Sequence, residues 1–589
     1  MSAPIAIRIQ VPQPQTHLIE VEMRVMALSD DSELILRMPV WSPGSYLVRE
    51  YARHVQRFAA FDKDGERLRF EKIDKTSWKI DVAHVDQVRV TYQVYAHDLT
   101  VRTNHVDTSH AFFNCVATCM YPDGRLDDAI DLHIVPPEGW EIFCGLAPAE
   151  GSKTYFEVAD FDELFDTPVE LGPHPYFDFE VEGVPHRFVM WGVSNADIDA
   201  LKKHVPELVK VNARMFGEIP YERYVFINHL VDGGFGGLEH RHSSVNMFDA
   251  RGFDKVELDE DGNLGKKYGN FLRLLCHEHF HAYHVKRLRP EALGPFDYQH
   301  ENYTHDLWAV EGVTSYYDTY NMMGTGLLSP AAYVELLEKR VLELSQHPGR
   351  LLHSLEMASF DAWIKFYRPD ENTRNSTVSY YLKGELVSWM LDLWIRTKTG
   401  GERDLADVLR KLYREHYKAR DEGYPRGAFE AAVGEISGAD PTEFFDRYIR
   451  GTHEIAWEEF LAPVGLRLKP VHDERGGASI KAVTRAEDDR RVVREVLGGG
   501  PGEQAGLCAG DVLVAIDRWE VAERDPDELL IDYEEGDVVD VHVLRRGRLH
   551  TLTMTLAKPG PKSYKLEVRA DASQKARELR KGWLGVETW

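Results

Sequence analysis

The sequence of 589 residues has no long hydrophobic run. No stretch approaches the roughly 18 consecutive apolar residues that a membrane-spanning helix needs. The N-terminal segment MSAPIAIRIQVPQPQTHL has neither a basic start nor a continuous apolar stretch, so it does not resemble a signal peptide. The sequence therefore predicts no membrane span. It favours a cytoplasmic location, with the periplasm still open if a leader has been removed.

Positive charge and cysteine are also scarce. Lysine and arginine number 70 against 97 aspartates and glutamates, and the net charge of −27 argues against nucleic-acid binding and for a soluble protein. The cysteines form no disulfide pattern, and the one close pair lacks the second pair that a zinc knuckle needs. They are Cys115, Cys119, Cys144, Cys276 and Cys508. The length predicts three or four domains.

The character of the sequence changes along the chain and predicts a multidomain α+β protein. Residues 1–170 alternate apolar and polar positions, as in HLIEVEMRVMAL, SELILRMPVW and QVRVTYQVYAH, between turn signals such as SPGS and DKDG. This pattern predicts an antiparallel, sandwich-like β domain. Helices dominate the later part of residues 171–462, strands return over 463–560, and the tail 561–589 predicts one short helix. The predicted helices of the middle part are 271–288, 308–323, 330–346, 377–397, 403–418 and 441–450.

The segment FLRLLCHEHFHAYHVKRL places four histidines within eight positions. At about 100° per residue, His277, His281 and His284 share one helical face, and His279 points away. His277 and His281 lie one turn apart and can reach one ion; the pair His281 and His284 is also possible on geometry alone. Glu278 favours the first pair, because His277 to His281 then fits H-E-x-x-H, the motif of two zinc-binding histidines and a glutamate base.

A catalytic zinc needs a third protein ligand and an open position for water. Glu311, in LWAVEGVTSYYDTY, is the best candidate, since its neighbours are largely apolar and an unpaired carboxylate would be costly there. Asp318, seven residues later on the same helical face, is either the group that orients a ligand histidine or an ordinary surface aspartate.

Together, HEHFHAYHVKRLRP, LWAVEGVTSYYD and GGFGGLEH resemble the glycyl aminopeptidase family of gluzincin zinc metallopeptidases, which is distantly similar to aminopeptidase N. The resemblance extends over nearly the whole chain. It implies a β-rich N-terminal domain over 1–170, a thermolysin-like catalytic domain with a helical C-terminal part over 171–462, and a PDZ domain over 463–560. It also implies one Zn²⁺ as cofactor.

The resemblance assigns further residues to substrate and catalysis. In Gly236-Gly237-Leu238-Glu239-His240, the glycines would let the backbone approach a peptide along an extended edge, and Glu239 would pair with the free α-amine. The alternative is a tight glycine hairpin in which Glu239 has no such role. In STVSYYLKGELVSWML, Tyr381 would donate a hydrogen bond to the oxyanion, with Tyr380 as its rival.

The segment PGEQAGLCAGDVLVAIDR resembles a PDZ domain of bacterial proteases. In that family a loop near Gly465, Leu466, Arg467 and Leu468 would hold a peptide C-terminus by its backbone N–H groups. The alternative is a PDZ fold that packs on the catalytic domain as a structural cap.

These observations predict a zinc aminopeptidase that acts on peptides with a free N-terminus, with a small first residue, glycine or alanine, implied by the family. One rival hypothesis is a zinc endopeptidase whose PDZ domain recruits protein substrates, with Glu239 structural. The other is a non-catalytic peptide-binding protein, which the intact H-E-x-x-H motif and Glu311 argue against.

Overall fold

The structure, a computed structural model, describes residues 4–26 and 32–589. Contacts divide the chain into two compact units. The first unit contains residues 1–303, 317–329 and 409–426; the second contains residues 304–316, 330–408 and 427–589. None of the helices formed by the described residues has the length and apolar character needed to span a bilayer.

The described residues up to Gly172 form β-sheets around an apolar core. Alternating burial along β2 and β7 shows why: every second side chain faces the core. The strands are β1 Ile5–Gln10, β2 Leu18–Met26, β3 Glu33–Arg37, β4 Val55–Phe61, β5 Phe70–Lys72, β6 Ser77–Asp81, β7 Gln87–Tyr95, β8 His105–Val106, β9 Ala111–Asn114, β10 Tyr121–Pro122, β11 Ile130–Val135, β12 Glu141–Cys144, β13 Tyr155–Val158 and β14 Pro168–Gly172, with one short helix, α1 Phe161–Phe165. The predicted segment HLIEVEMRVMAL contains β2, and its last two residues lie outside the described residues.

Three sheets make up this region. Their strand orders are β13-β11-β1-β2-β7-β4, β10-β3-β6-β5 and β12-β14-β9-β8. The expectation of a purely antiparallel arrangement is wrong at one position, because β1 pairs with β11 in parallel. Alternation of apolar residues fixes which face is buried but does not fix strand direction, so the sequence pattern alone could not show this.

The rest of the first unit carries a five-stranded mixed sheet packed against two helices. The elements are β15 Tyr176–Val181, β16 Val184–Trp191, α2 Ile198–Phe216, β17 Tyr224–Val231, β18 Phe235–Glu239, β19 Ser243–Asp249 and α3 Lys266–Phe280. The strand order β15-β16-β17-β19-β18 leaves β18 at the edge of the sheet. The predicted helix 271–288 ends at Phe280, because side chains of His281 and Arg287 bond to backbone carbonyls of the following turns.

The second unit begins with helices. Thr314–Thr325 (α4) and Leu405–Leu412 (α9) straddle the division of the chain, and the others are α5 Pro330–Ser345, α6 Leu355–Phe360, α7 Thr373–Ser376, α8 Leu382–Thr399, α10 Ala428–Ser437, α11 Thr442–Tyr448 and α12 Trp457–Leu461. A π-helical turn, Trp308–Val313, leads directly into α4. The fold is thus a multidomain α+β arrangement with N-terminal β-sheets and a helical later part.

The end of the chain returns to β structure around its own core, which runs from Ala478 to Leu556. Its elements are β20 Leu466–Val471, β21 Ala482–Glu487, β22 Arg490–Val496, α13 Pro501–Ala505, β23 Val512–Ile516, β24 Trp519–Glu520, α14 Pro526–Leu529, β25 Val538–Arg545, β26 Arg548–Thr555, β27 Ser563–Val568 and α15 Gln574–Leu584. The helix α15 begins at an N-cap serine, Ser573, and ends at a left-handed glycine, Gly585.

Candidate metal centre and its surroundings

Two imidazoles face each other at the end of α3. The Nε2 atoms of His277 and His281 lie 3.1 Å apart. The Nδ1 of His277 contacts a carboxylate oxygen of Asp318 at 2.9 Å, and the Nδ1 of His281 contacts the backbone carbonyl of His284 at 2.6 Å. Because a carboxylate and a carbonyl only accept hydrogen bonds, each Nδ1 carries a proton, and in the neutral form of the ring each Nε2 then presents a lone pair. Two lone pairs directed at each other repel, so this pair fits a cation held between them.

Asp318 is the group that fixes the His277 ring. Its side chain is fully buried and accepts hydrogen bonds from Arg273 at 3.0 Å, from His277, and from the Thr319 hydroxyl at 2.6 Å. Burial alone would raise the pKa of Asp318, but the charge of Arg273 and the hydrogen bond from His277 keep it below its usual value. The alternative that Asp318 is an ordinary surface aspartate is therefore wrong.

His279 and His284 are differently placed. His279 points away from the pair, as the helical wheel predicts, and its ring contacts the Tyr221 hydroxyl at 2.5 Å and the Asn212 amide at 3.0 Å. Complete burial holds the pKa of His279 well below its usual value, so it is a neutral core residue. The ring of His284 is also fully buried and packs edge-on against Phe280.

Glu278 lies directly under the edge strand β18. A Cβ atom added to Gly237 would be 2.0 Å from the Glu278 carboxylate, so any other residue there would displace that carboxylate. Gly236, beside it, has a φ of +144° and open space around its Cα. The two glycines thus bring the backbone of β18 against the carboxylate that follows His277.

Glu239 ends the same strand. Its side chain is 4% exposed, and its Oε1 atom is buried with no hydrogen-bond partner among the described residues. A buried carboxylate oxygen without a partner is costly, so the position is suited to receive a cation. The order of residues on β18 places this carboxylate two residues beyond Gly237, along one strand edge.

In the second unit, Glu311 and Tyr381 lie on segments that pack together. Glu311 is 2% exposed and occupies the π-helical turn, while Tyr381 is the N-cap residue of α8. A Cβ added to Gly312 would be 2.6 Å from the Cα of Gly384, so the two backbones touch. Tyr380 is fully buried, whereas Tyr381 is only partly buried, so Tyr381 is the more accessible of the two.

The four residues predicted near a PDZ carboxylate loop lie at the start of β20 and immediately before it. The strand β20, which holds Leu466, Arg467 and Leu468, pairs with β27 in a separate two-stranded sheet. The carbonyl of Gly465 already accepts a hydrogen bond from the buried Arg580 guanidinium at 3.0 Å. Peptide capture by this segment gains no support from its placement.

A second histidine cluster, which sequence reasoning missed, surrounds Glu170. Its carboxylate is fully buried and contacts three imidazoles: His110 at 3.0 Å, His174 at 2.7 Å and His229 at 2.8 Å. Burial alone would raise the pKa of Glu170, but these histidines hold it well below its usual range. The members come from three separate segments, so no spacing in the sequence indicates that they form one cluster. His110, Glu170 and His229 also form a group that could hold a metal ion.

Comparison with known proteins places these observations in a family. Residues 6–173 match the Peptidase M61 N-terminal domain, and residues 270–387 match the M61 glycyl aminopeptidase domain. A crystal structure of an aminopeptidase N family protein from Idiomarina loihiensis is 30% identical, with 98% of this chain and 100% of that chain covered and a TM-score of 0.90.

A more distant similarity is to an M1 zinc metallopeptidase mutant from Deinococcus radiodurans bound to a Tyr-Ser-Ala substrate. It is 13% identical, covers 77% of this chain and 95% of that chain, and has a TM-score of 0.48. A search among curated protein sequences gives no match.

Proposed function

The chain belongs to the M61 glycyl aminopeptidase family and is a metallopeptidase, and from that premise we propose that it is a zinc aminopeptidase releasing small N-terminal residues, glycine or alanine, from peptides. The observation that carries the proposal is the pair of Nε2 lone pairs of His277 and His281, which face each other at 3.1 Å.

One zinc ion would be held by His277, His281 and Glu311, with Asp318 orienting the first of them. Two imidazoles and a carboxylate are a known donor set for catalytic zinc. These three side chains form one of the groups of described residues that could hold a metal. Glu311 also lies seven residues before Asp318 on a continuous helical stretch, two turns or about 10 Å along the axis. When bound, the zinc lowers the pKa of water and polarises the scissile carbonyl.

Glu278 is proposed as the general base. Its carboxylate lies beneath Gly237, the point of β18 where a peptide backbone would come closest to His277. From there it would take a proton from the attacking water and deliver it to the nitrogen of the departing amine. Tyr381 would donate its hydroxyl hydrogen bond to the carbonyl oxygen as negative charge develops on it.

The peptide is proposed to lie along the exposed edge of β18, with Gly236 and Gly237 against its backbone and Glu239 paired with its α-ammonium group. A carboxylate whose buried Oε1 has no other partner supports this pairing. The demand for a positive charge one residue from the scissile bond would make the enzyme an exopeptidase.

The domain limits are also proposed: 1–170 N-terminal, 171–462 catalytic, 463–560 PDZ and 561–589 tail. The separate core from Ala478 to Leu556 supports an independent domain at that place. We propose it as a PDZ domain whose ligand class would be a peptide C-terminus.

The deciding experiment compares hydrolysis of a glycine-leading peptide with that of its N-acetylated twin, with and without a zinc chelator. Chelator-sensitive release of glycine from the free-amine peptide only is the expected result. Equal cleavage of both peptides at internal bonds would move the assignment to an endopeptidase. Absence of cleavage of either would remove the enzymatic proposal.

A further inference from the structure

A tight turn of the N-terminal region lies next to the proposed amine-binding carboxylate. In Ser42-Pro43-Gly44-Ser45, the N–H of Ser45 donates to the carbonyl of Ser42 at 2.9 Å. Proline at the second position and a glycine with φ of +85° at the third are the signature of a type II β-turn. The sequence indicated a turn here but nothing about what it touches.

The turn touches Glu239 directly. A Cβ added to Gly44 would be 2.5 Å from Oε1 and 2.8 Å from Oε2 of that carboxylate. A side chain at this position would have to displace the carboxylate, and the positive φ of Gly44 strains any other residue as well. The backbone at Gly44 therefore forms a wall against the carboxylate on one side.

The turn is held from behind by the segment that follows α3. The indole N–H of Trp41, a fully buried residue, donates to the carbonyl of Asp297 at 2.8 Å, and the N–H of Val40 donates to the carbonyl of Tyr298 at 2.9 Å. Two hydrogen bonds and a packed indole immediately before the turn fix its position. It is a rigid feature of the first unit.

The same N-terminal region also holds the middle of β18. The guanidinium of Arg102 donates to the carbonyl of Gly237 at 3.1 Å, and the Tyr51 hydroxyl bonds to the carbonyl of Arg102 at 3.0 Å. The strand is thus held at Gly237 and limited at Glu239 by parts of the chain more than 130 residues earlier.

We propose that the turn Ser42–Ser45 is the end wall of the peptide groove, and that Gly44 is a positioning residue that sets the place of the Glu239 carboxylate. This inference rests on the proposed aminopeptidase function. A peptide enters until its α-ammonium group meets Glu239, and the turn occupies the space that a preceding residue would need. The enzyme therefore releases one residue at a time, and the N-terminal region determines that register.

The test compares Gly44→Ala with a matched control, Gly65→Ala. Gly65 has nearly the same φ, +89°, but no atom within 4 Å of an added Cβ, so its variant reports backbone strain alone. With the glycine-leading peptide, Gly44→Ala should lower kcat/KM by on the order of 100-fold, because the amine anchor is displaced. KM should rise and kcat should fall together. Gly65→Ala should stay within about twofold of the wild type, since surface changes have small effects.

Two further variants separate positioning from folding. Glu239→Asp, added to Gly44→Ala, withdraws the carboxylate by one methylene and should restore about tenfold of the lost kcat/KM, a coupling expected only of contacting residues. Pro43→Gly adds no atoms but loosens the turn, and it should raise KM for the free-amine peptide about two- to fivefold. It decides the question if Gly44→Ala does not fold.

The possible results distinguish a failure of the aminopeptidase proposal from a failure of the end-wall inference. If the wild type cleaves the free-amine peptide and its acetylated twin equally, the aminopeptidase proposal itself fails. If the wild type discriminates but Gly44→Ala behaves as Gly65→Ala does, or loses only active protein with KM unchanged, the end-wall inference is wrong and the aminopeptidase proposal stands.

Discussion

The first unit contains two histidine clusters of similar size and opposite chemistry. Around Glu170, imidazole nitrogens meet a carboxylate, so every contact joins a donor with an acceptor. At the end of α3, the nitrogens of His277 and His281 meet each other, and their other nitrogens are committed to acceptors. In the first cluster the carboxylate accepts from the imidazoles, whereas in the second the Nε2 lone pairs of two neutral rings face one point. A surplus of lone pairs, more than a count of histidines, is what indicates a metal.

The largest effect should come from breaking the second cluster. His281→Ala removes one of the facing nitrogens and should reduce bound zinc from one ion per chain to nearly none, with kcat/KM falling on the order of 10⁴-fold. Metal content by mass spectrometry and peptide hydrolysis measure the two effects. His174→Ala, the matched change in the Glu170 cluster, should keep the zinc; zinc loss from both variants would contradict the comparison.

Glu278→Gln sharpens the distinction between holding a metal and using it. The amide keeps the shape of the side chain under Gly237 but cannot accept a proton, so kcat should fall on the order of 10³-fold with zinc content unchanged. Activity near that of the wild type would show that another group is the base.

Glu170→Gln should lower the stability of the fold without lowering the zinc content. The amide presents N–H groups to imidazole N–H groups, and a buried mismatch of this kind should cost about 3 kcal/mol in the free energy of unfolding. Zinc content should stay at one ion per chain. Urea denaturation measures the loss, and a fall in zinc content together with intact stability would instead identify this cluster as a metal site.

The smallest predicted effect is on the stability of the protein at acid pH. Burial is the main cause that lowers the pKa of His105, next to His110, to about 4 from a usual 6.5. The unfolded chain therefore binds more protons than the folded protein between these values. The stabilising contribution of neutral His105 is complete above pH 6.5 and is lost as the pH falls toward 4.

In His105→Gln, the thermal midpoint should fall less steeply over that interval than in the wild type. His550→Gln, a change at an exposed histidine, serves as the control and should leave the slope unaltered. Parallel slopes for all three proteins would show that His105 does not contribute to the acid response.

Local chemistry explains which parts of this arrangement were accessible from the sequence. The H-E-x-x-H spacing predicted that His277 and His281 face each other, and helical periodicity correctly predicted that His279 points away from them. For Asp318 the sequence left two alternatives, a partner of a ligand histidine or a surface aspartate. Helical periodicity shows which residues share a face but does not show what that face packs against. The end of α3 was predicted too late in the chain, because no proline or glycine directly follows Phe280 and the hydrogen bonds of His281 and Arg287 to the carbonyls of His284 and Ala282 are not visible in the sequence.

Contacts between segments distant in the chain could not be predicted from the sequence. Glu170 and its histidines have no common spacing, and the direction of β1 against β11 leaves no mark on alternation. The segment from Gly465 to Leu468 resembled a peptide-binding loop, but pairing with β27 depends on a strand nearly 100 residues later. Such pairings follow from the packing of whole elements.

The contact of Gly44 with Glu239 also has a consequence for how this protein can change over evolutionary time. The two residues are 195 positions apart in the sequence but share one small volume. A lineage that shortens the acidic side chain gains room for a methyl group at the turn, and one that keeps the glutamate does not. The two positions are therefore expected to covary, and the N-terminal region and the peptide-binding strand should be inherited as one piece.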